Sequence, residues 1–91
     1  METQLQEAIE RIQYMESLFD TLQQAVQEDY TAIQTHTVYK EALAILTQYY
    51  ENGLWLSDYE LDEQNLLPPS LKRGVLSQAG LYDFLSEINE Q

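Results

Sequence analysis

The densest chemistry in this chain is Asp58-Tyr59-Glu60-Leu61-Asp62-Glu63, four carboxylates within six residues. Carboxylate oxygens are the ligands of hard divalent cations, so the run is a candidate calcium or magnesium site. The EF-hand loop tests that idea. It needs oxygen ligands at its first, third and fifth places, Gly at the sixth and Glu at the twelfth. Asp58, Glu60 and Asp62 satisfy the first part, but Glu63 stands where Gly is required and Pro69 where the closing Glu belongs. On a helix, Asp58 and Asp62 share a face and Glu60 points away. The plain reading is a solvated acidic face with local ion pairs.

The second group is Lys72-Arg73, half of the basic residues in the chain. It is a candidate contact for a phosphate or an acidic partner. The competing reading is a return pairing of Arg73 with Asp58, Asp62 or Glu63, which on an exposed surface contributes about 0–1 kcal/mol. The third group is aromatic: Tyr49, Tyr50, Trp55 and Tyr59, with Tyr14, Tyr30, Tyr39 and Tyr82 elsewhere. Tyr and Trp dominate binding surfaces and small cores alike. His36 is the single histidine and sits in a polar stretch with no nucleophile motif nearby. Ser57, Ser70 and Ser77 read as caps or turn residues. No phosphate loop, nucleophile elbow or metalloprotease motif occurs. The chain has no Cys, so it offers no thiol nucleophile, disulfide or thiolate metal site. The candidate binding residues are therefore Tyr49, Tyr50, Trp55, Asp58, Tyr59, Glu60, Asp62, Glu63, Lys72 and Arg73; no catalytic residue, metal ligand set or cofactor is expected.

The elements that position these groups follow from periodicity. Leu5, Ala8, Ile12, Met15, Phe19, Leu22 and Val26 alternate spacings of three and four, the seam of a helix packed along its length. This predicts a first helix over about residues 3–30, opened by a Thr3/Gln6 capping box. Its polar outer face includes Glu7, Glu10, Arg11 and Glu16. Thr31, Thr35 and Thr37 weaken the pattern, which places the turn near Gln34 to Thr37. A second helix over about 37–52 carries Tyr39, Ala42, Leu43, Leu46, Tyr49 and Tyr50 on its apolar side. Asn52-Gly53 ends it, because Gly accepts the left-handed conformation after a helix. A capping box at Ser57/Glu60 predicts a short helix over about 58–65, stopped by Pro68 and Pro69. Ser70 to Gly74 reads as a tight turn or one helical turn with Gly74 as its stop, and Ser77 as the cap of a last helix over about 78–89. The fold class is all-α: one domain over 1–91, an αα-hairpin covered by short C-terminal helices.

Charge bounds the function. Four basic residues against sixteen acidic give a net charge of −12. Nucleic-acid phosphates and anionic membranes are repelled, so direct binding to either is not expected. A basic protein partner is allowed, and the simplest role for the charge is solubility. The first residues lack the basic and apolar regions of a signal peptide, and no apolar run approaches the roughly 20 residues of a membrane span. A soluble cytoplasmic protein is expected. The seam of the first helix permits a homodimer as well as a hairpin.

Tyr49-Tyr50, Trp55, Asp58-Tyr59-Glu60, Asp62-Glu63, Leu67-Pro68, Leu71-Lys72-Arg73-Gly74-Val75-Leu76-Ser77 and Tyr82-Asp83-Phe84-Leu85 carry a pattern. It resembles the bacterial family catalogued as domain of unknown function 4298, whose members are small and helical. The likeness is close in the C-terminal half. It departs at Gln78-Ala79, where acidic residues often stand, and at Phe84, where Leu is usual. The resemblance implies a bacterial cytosolic protein and lends no mechanism. Two functions follow as expectations: a non-catalytic protein-interaction module, or a divalent-metal or enzymatic domain using the carboxylates of 58–63.

Overall fold

The computed structural model describes residues 2–29, 31, 35–77 and 80–89; the side chains of residues 2, 3 and 89 are outside the description. The described residues form four α-helices and no strand. These are α1 (Glu2–Glu28), α2 (Thr37–Glu51), α3 (Leu54–Glu63) and α4 (Gly80–Asn89), with a 3-10 turn at Gly74–Leu76 between the last two. None of these helices is long and apolar enough to cross a membrane. The all-α hairpin with short C-terminal helices is the expected architecture.

The 27 residues of α1 span about 40 Å at 1.5 Å per residue, which is the 41 Å long axis of the molecule. Its seam is spent inside the chain: Ala8, Ile12, Met15, Phe19 and Leu22 are buried. Ile12, Met15, Phe19 and Leu22 meet Ala42, Leu46 and Tyr49 of α2 and Leu81, Leu85 and Ile88 of α4 in one core. Phe19 and Phe84 lock α1 to α4 edge to face, with centroids 5.3 Å apart. The 3-10 turn packs against α1, α3 and α4. Its Val75 and Leu76 are buried to the same degree as the helical core.

Several boundaries differ from expectation, each for a local reason. The first break comes earlier than Gln34, at Asp29. The Asp29 carboxylate accepts the Thr31 backbone N–H at 3.1 Å and its hydroxyl at 2.7 Å, an Asx-type turn that competes with the helix. Tyr30 and residues 32–34 lie outside the described residues, as do the Thr3 side chain of the first capping box and residues 78–79 after Ser77. The Gln6 amide reaches forward to Glu10 at 3.5 Å.

The third helix starts four residues before Asp58, which corrects the Ser57/Glu60 capping box. Ser57 is already inside α3, its N–H bonded to the Gly53 carbonyl at 3.1 Å. Gly53 takes φ 92°, as a left-handed link between α2 and α3 must. Gly53 is the N-cap of α3, and Asn52 steadies the turn before it, its Oδ1 accepting the Leu54 N–H at 3.0 Å. The same helix ends before the prolines reach it. Leu66 N–H bonds the Leu61 carbonyl and Asn65 N–H the Asp62 carbonyl, at 3.1 and 3.0 Å. With Asn65 at φ 59° this is a Schellman stop, and Asn is the residue other than Gly that best tolerates that conformation. Pro68 instead closes a turn, accepting the Leu71 N–H. Gly74 begins the 3-10 turn rather than stopping the turn that starts at Ser70.

Candidate functional site

The acidic run is dispersed by α3. Asp58 is the inward member, with 0% exposure. Arg11 of α1 grips it with two groups: Nε donates to Oδ2 at 2.9 Å and Nη2 donates to Oδ1. The Tyr49 hydroxyl of α2 donates to the same Oδ2 at 2.7 Å. Three helices thus meet at one carboxylate. A buried carboxylate needs this, because a charge removed from water without partners costs several kcal/mol. The guanidinium is held above its ordinary pKa, first by its hydrogen bond to Asp58. Burial and the neighbouring carboxylate push the Tyr49 phenol far above its ordinary 10.0.

The remaining members of the run face elsewhere. Asp62 pairs with Arg73 at 2.7 Å, both partly exposed, which selects one of the three expected return pairings. Glu60 and Glu63 are exposed. The neighbouring Glu63 carboxylate raises the Tyr59 phenol pKa. Among the described residues no three His, Asp or Glu side chains converge as a cation would require.

A second buried carboxylate lies in α1. Glu16 Oε2 accepts the Val75 N–H at 2.7 Å, tying α1 to the 3-10 turn. A Cβ on Gly74 would sit 2.9 Å from Glu16 Oε1, so glycine leaves the room this carboxylate occupies. On the other side of the turn, Trp55 Nε1–H donates to the Val75 carbonyl at 2.9 Å. Val75 therefore has both backbone groups satisfied by side chains from two different helices. Arg11 and Glu16 correct the sequence expectation, which put both on the polar outer face of the first helix. Their only signal in the sequence is that each adjoins a seam position, Ile12 and Met15.

The aromatic candidates form a continuous strip. Tyr59 stacks on Trp55 at 5.2 Å, Trp55 meets Tyr50 at 5.2 Å, and Tyr50 meets Tyr82 of α4 at 6.1 Å. Tyr49 and Trp55 belong to the core, Tyr50 and Tyr59 are half-buried, and Tyr82 is 53% exposed. Lys72 is exposed, beside Asp20 and Glu16 in a shallow hollow. The expected site is thus split. Tyr49, Trp55, Asp58, Asp62 and Arg73 are joined by internal bonds, while Glu60, Glu63 and Lys72 point to solvent.

The C-terminal signature now has a physical account. Trp55, Asp58 and the Gly74-Val75-Leu76 turn converge because they hold α3 and α4 onto the hairpin. No curated protein and no solved structure matches the chain. The family described as domain of unknown function (DUF4298) matches residues 12–91, a span that includes every residue of this signature, and the chain belongs to that family.

Proposed function

We propose that the chain is a non-catalytic protein-interaction module of the bacterial cytoplasm, with a basic protein as its partner. One observation carries the reading: the carboxylates held within the fold are partnered internally, and those left on the surface are dispersed. Asp58 is held by Arg11 and Tyr49, Glu16 by Val75, and Asp62 by Arg73. What faces solvent is a field of carboxylates, among them Glu7, Asp20, Glu28, Glu41, Glu51, Glu60, Glu63 and Asp83. Both arginines are engaged in ion pairs. A surface of one sign speeds encounter with partners of the other and suppresses like-charged ones.

Chemical crosslinking of the immobilised chain in bacterial lysate, at low and at high salt, tests the reading. A specific protein adduct that fades as salt screens the charges is the expected result. No adduct at low salt, or one indifferent to salt, refutes it.

A further inference from the structure

The interaction reading leaves the contact surface open, and one feature of the fold answers it. A cleft of about 580 Å³ lies between the N-terminal half of α1 and the outer side of α3. Its apolar lining is Leu5, Ala8, Leu61 and Leu66, and Leu66 is 49% exposed. The Schellman stop of α3 places Leu66 there, one turn beyond Leu61. Glu7 and Arg11 are its charged lining. The Arg11 charge is offset by Asp58 beneath it, so Glu7 sets the local sign, and Glu60 beside Leu61 is exposed on the same short helix.

We propose that this cleft docks one amphipathic helix of a basic protein partner, with its apolar stripe on the leucines and its Lys or Arg residues toward Glu7 and Glu60. The inference rests on the interaction reading above. Three observations select the occupant. Leu5, Ala8 and Leu61 sit on helices, and the Leu66 N–H bonds the Leu61 carbonyl, so the surface offers no strand edge for an extended peptide. An occupant of an apolar cleft must then satisfy its own backbone, which a helix does. The net charge of −12 and the local excess of carboxylate, Glu7 with Asp58 against the single Arg11, favour a basic helix, and they set a second copy of this chain against strong repulsion.

The probe is a synthetic peptide about four turns long, with Leu at i, i+3, i+4 and i+7 and Lys elsewhere. A scrambled peptide of the same composition and a Glu-for-Lys version accompany it. Binding is followed by amide chemical shifts of the full chain at low ionic strength. The expected result is shifts centred on Leu5, Ala8, Leu61 and Leu66, with about tenfold weaker binding of the scrambled peptide and no binding of the acidic one. Leu66→Lys and Tyr82→Lys change the net charge equally. Leu66→Lys is expected to weaken binding about tenfold and Tyr82→Lys no more than about twofold. Should Leu66→Lys disturb the fold, the exposed pair Glu7→Lys and Glu28→Lys makes the same comparison along α1, with Glu7→Lys the weaker binder. Equal losses within a pair, or equal affinity for the scrambled peptide, overturn the docking site. Shifts centred on Tyr50 and Tyr82 also overturn it, while the interaction reading stands. Failure of the amphipathic basic peptide to bind overturns the docking site, and the crosslinking test decides the interaction reading separately.

Discussion

Replacing Arg11 by Met is the most informative perturbation of this fold. Met keeps an apolar stem of similar length and removes the guanidinium. Asp58, fully buried, then retains the Tyr49 hydroxyl as its sole partner among the described contacts. Removing one member of a buried ion pair costs about 3–5 kcal/mol, most of it the penalty of the stranded charge. The Arg11 side chain is 26% exposed, so water reaches part of the site and the expected cost is about 3 kcal/mol. The reverse substitution, Asp58→Asn, strands the better-solvated partner and keeps an acceptor for Tyr49. It is expected to cost about 1–2 kcal/mol. The asymmetry follows from burial: stranding the fully buried Asp58 costs more than stranding the partly solvated Arg11. In the double variant the stranded charge is gone, so the two losses fall short of adding by about 1–2 kcal/mol. Urea unfolding followed by helical circular dichroism measures all four species, with equal slopes required for comparison. A cost below about 1 kcal/mol for Arg11→Met would place the pair among exposed salt bridges and refute the account of Asp58 as the joint of three helices.

Tyr49→Phe removes a hydrogen bond to a charged acceptor and is expected to cost about 1.5–3 kcal/mol at neutral pH. Its pH dependence has a definite sign: the folded phenol is raised above its ordinary 10.0, so its contribution is full below that pH and is lost as pH rises beyond it. Alkaline titration of unfolding therefore separates wild type from Tyr49→Phe, whose stability falls less steeply above that point. Gly74→Ala presses a Cβ onto the Glu16 carboxylate and is expected to cost about 1–3 kcal/mol; in a Glu16→Ala background the same change costs less, which a thermal or urea cycle detects. Trp55→Phe strands the Val75 carbonyl and is expected to cost about 1–3 kcal/mol by urea unfolding followed by circular dichroism.

The helices were legible in the chain because their causes are local. The alternating seam from Leu5 to Val26, the face through Ala42, Leu46 and Tyr49, and Leu81 with Leu85 and Ile88 each repeat at helical spacing within a single segment. Gly53 at its left-handed position was legible for the same reason, since φ depends on a residue and its immediate neighbours. The misplaced boundaries are also local, and they mark close competition. Ser57 is a good cap by type, and nothing within the segment says that the helix starts earlier, at Leu54 behind Gly53. Asp29 and the threonines that follow compete in the same way for the first break.

The candidate site was decided by packing. Arg11 reaches Asp58 across 47 residues and Glu16 reaches Val75 across 59. Either charge has an equally good solvated rotamer on an isolated helix. Only the crossing of α1 over α3 and the 3-10 turn removes water from these carboxylates and so selects their partners. Composition and periodicity determine an acidic, helical chain with one core. The three-dimensional path determines which charges tie its helices together: Arg11 with Asp58, Glu16 with the Val75 backbone and, nearer the surface, Arg73 with Asp62. Coulomb and desolvation energies depend on distance and burial, and the order of residues along a chain contains neither.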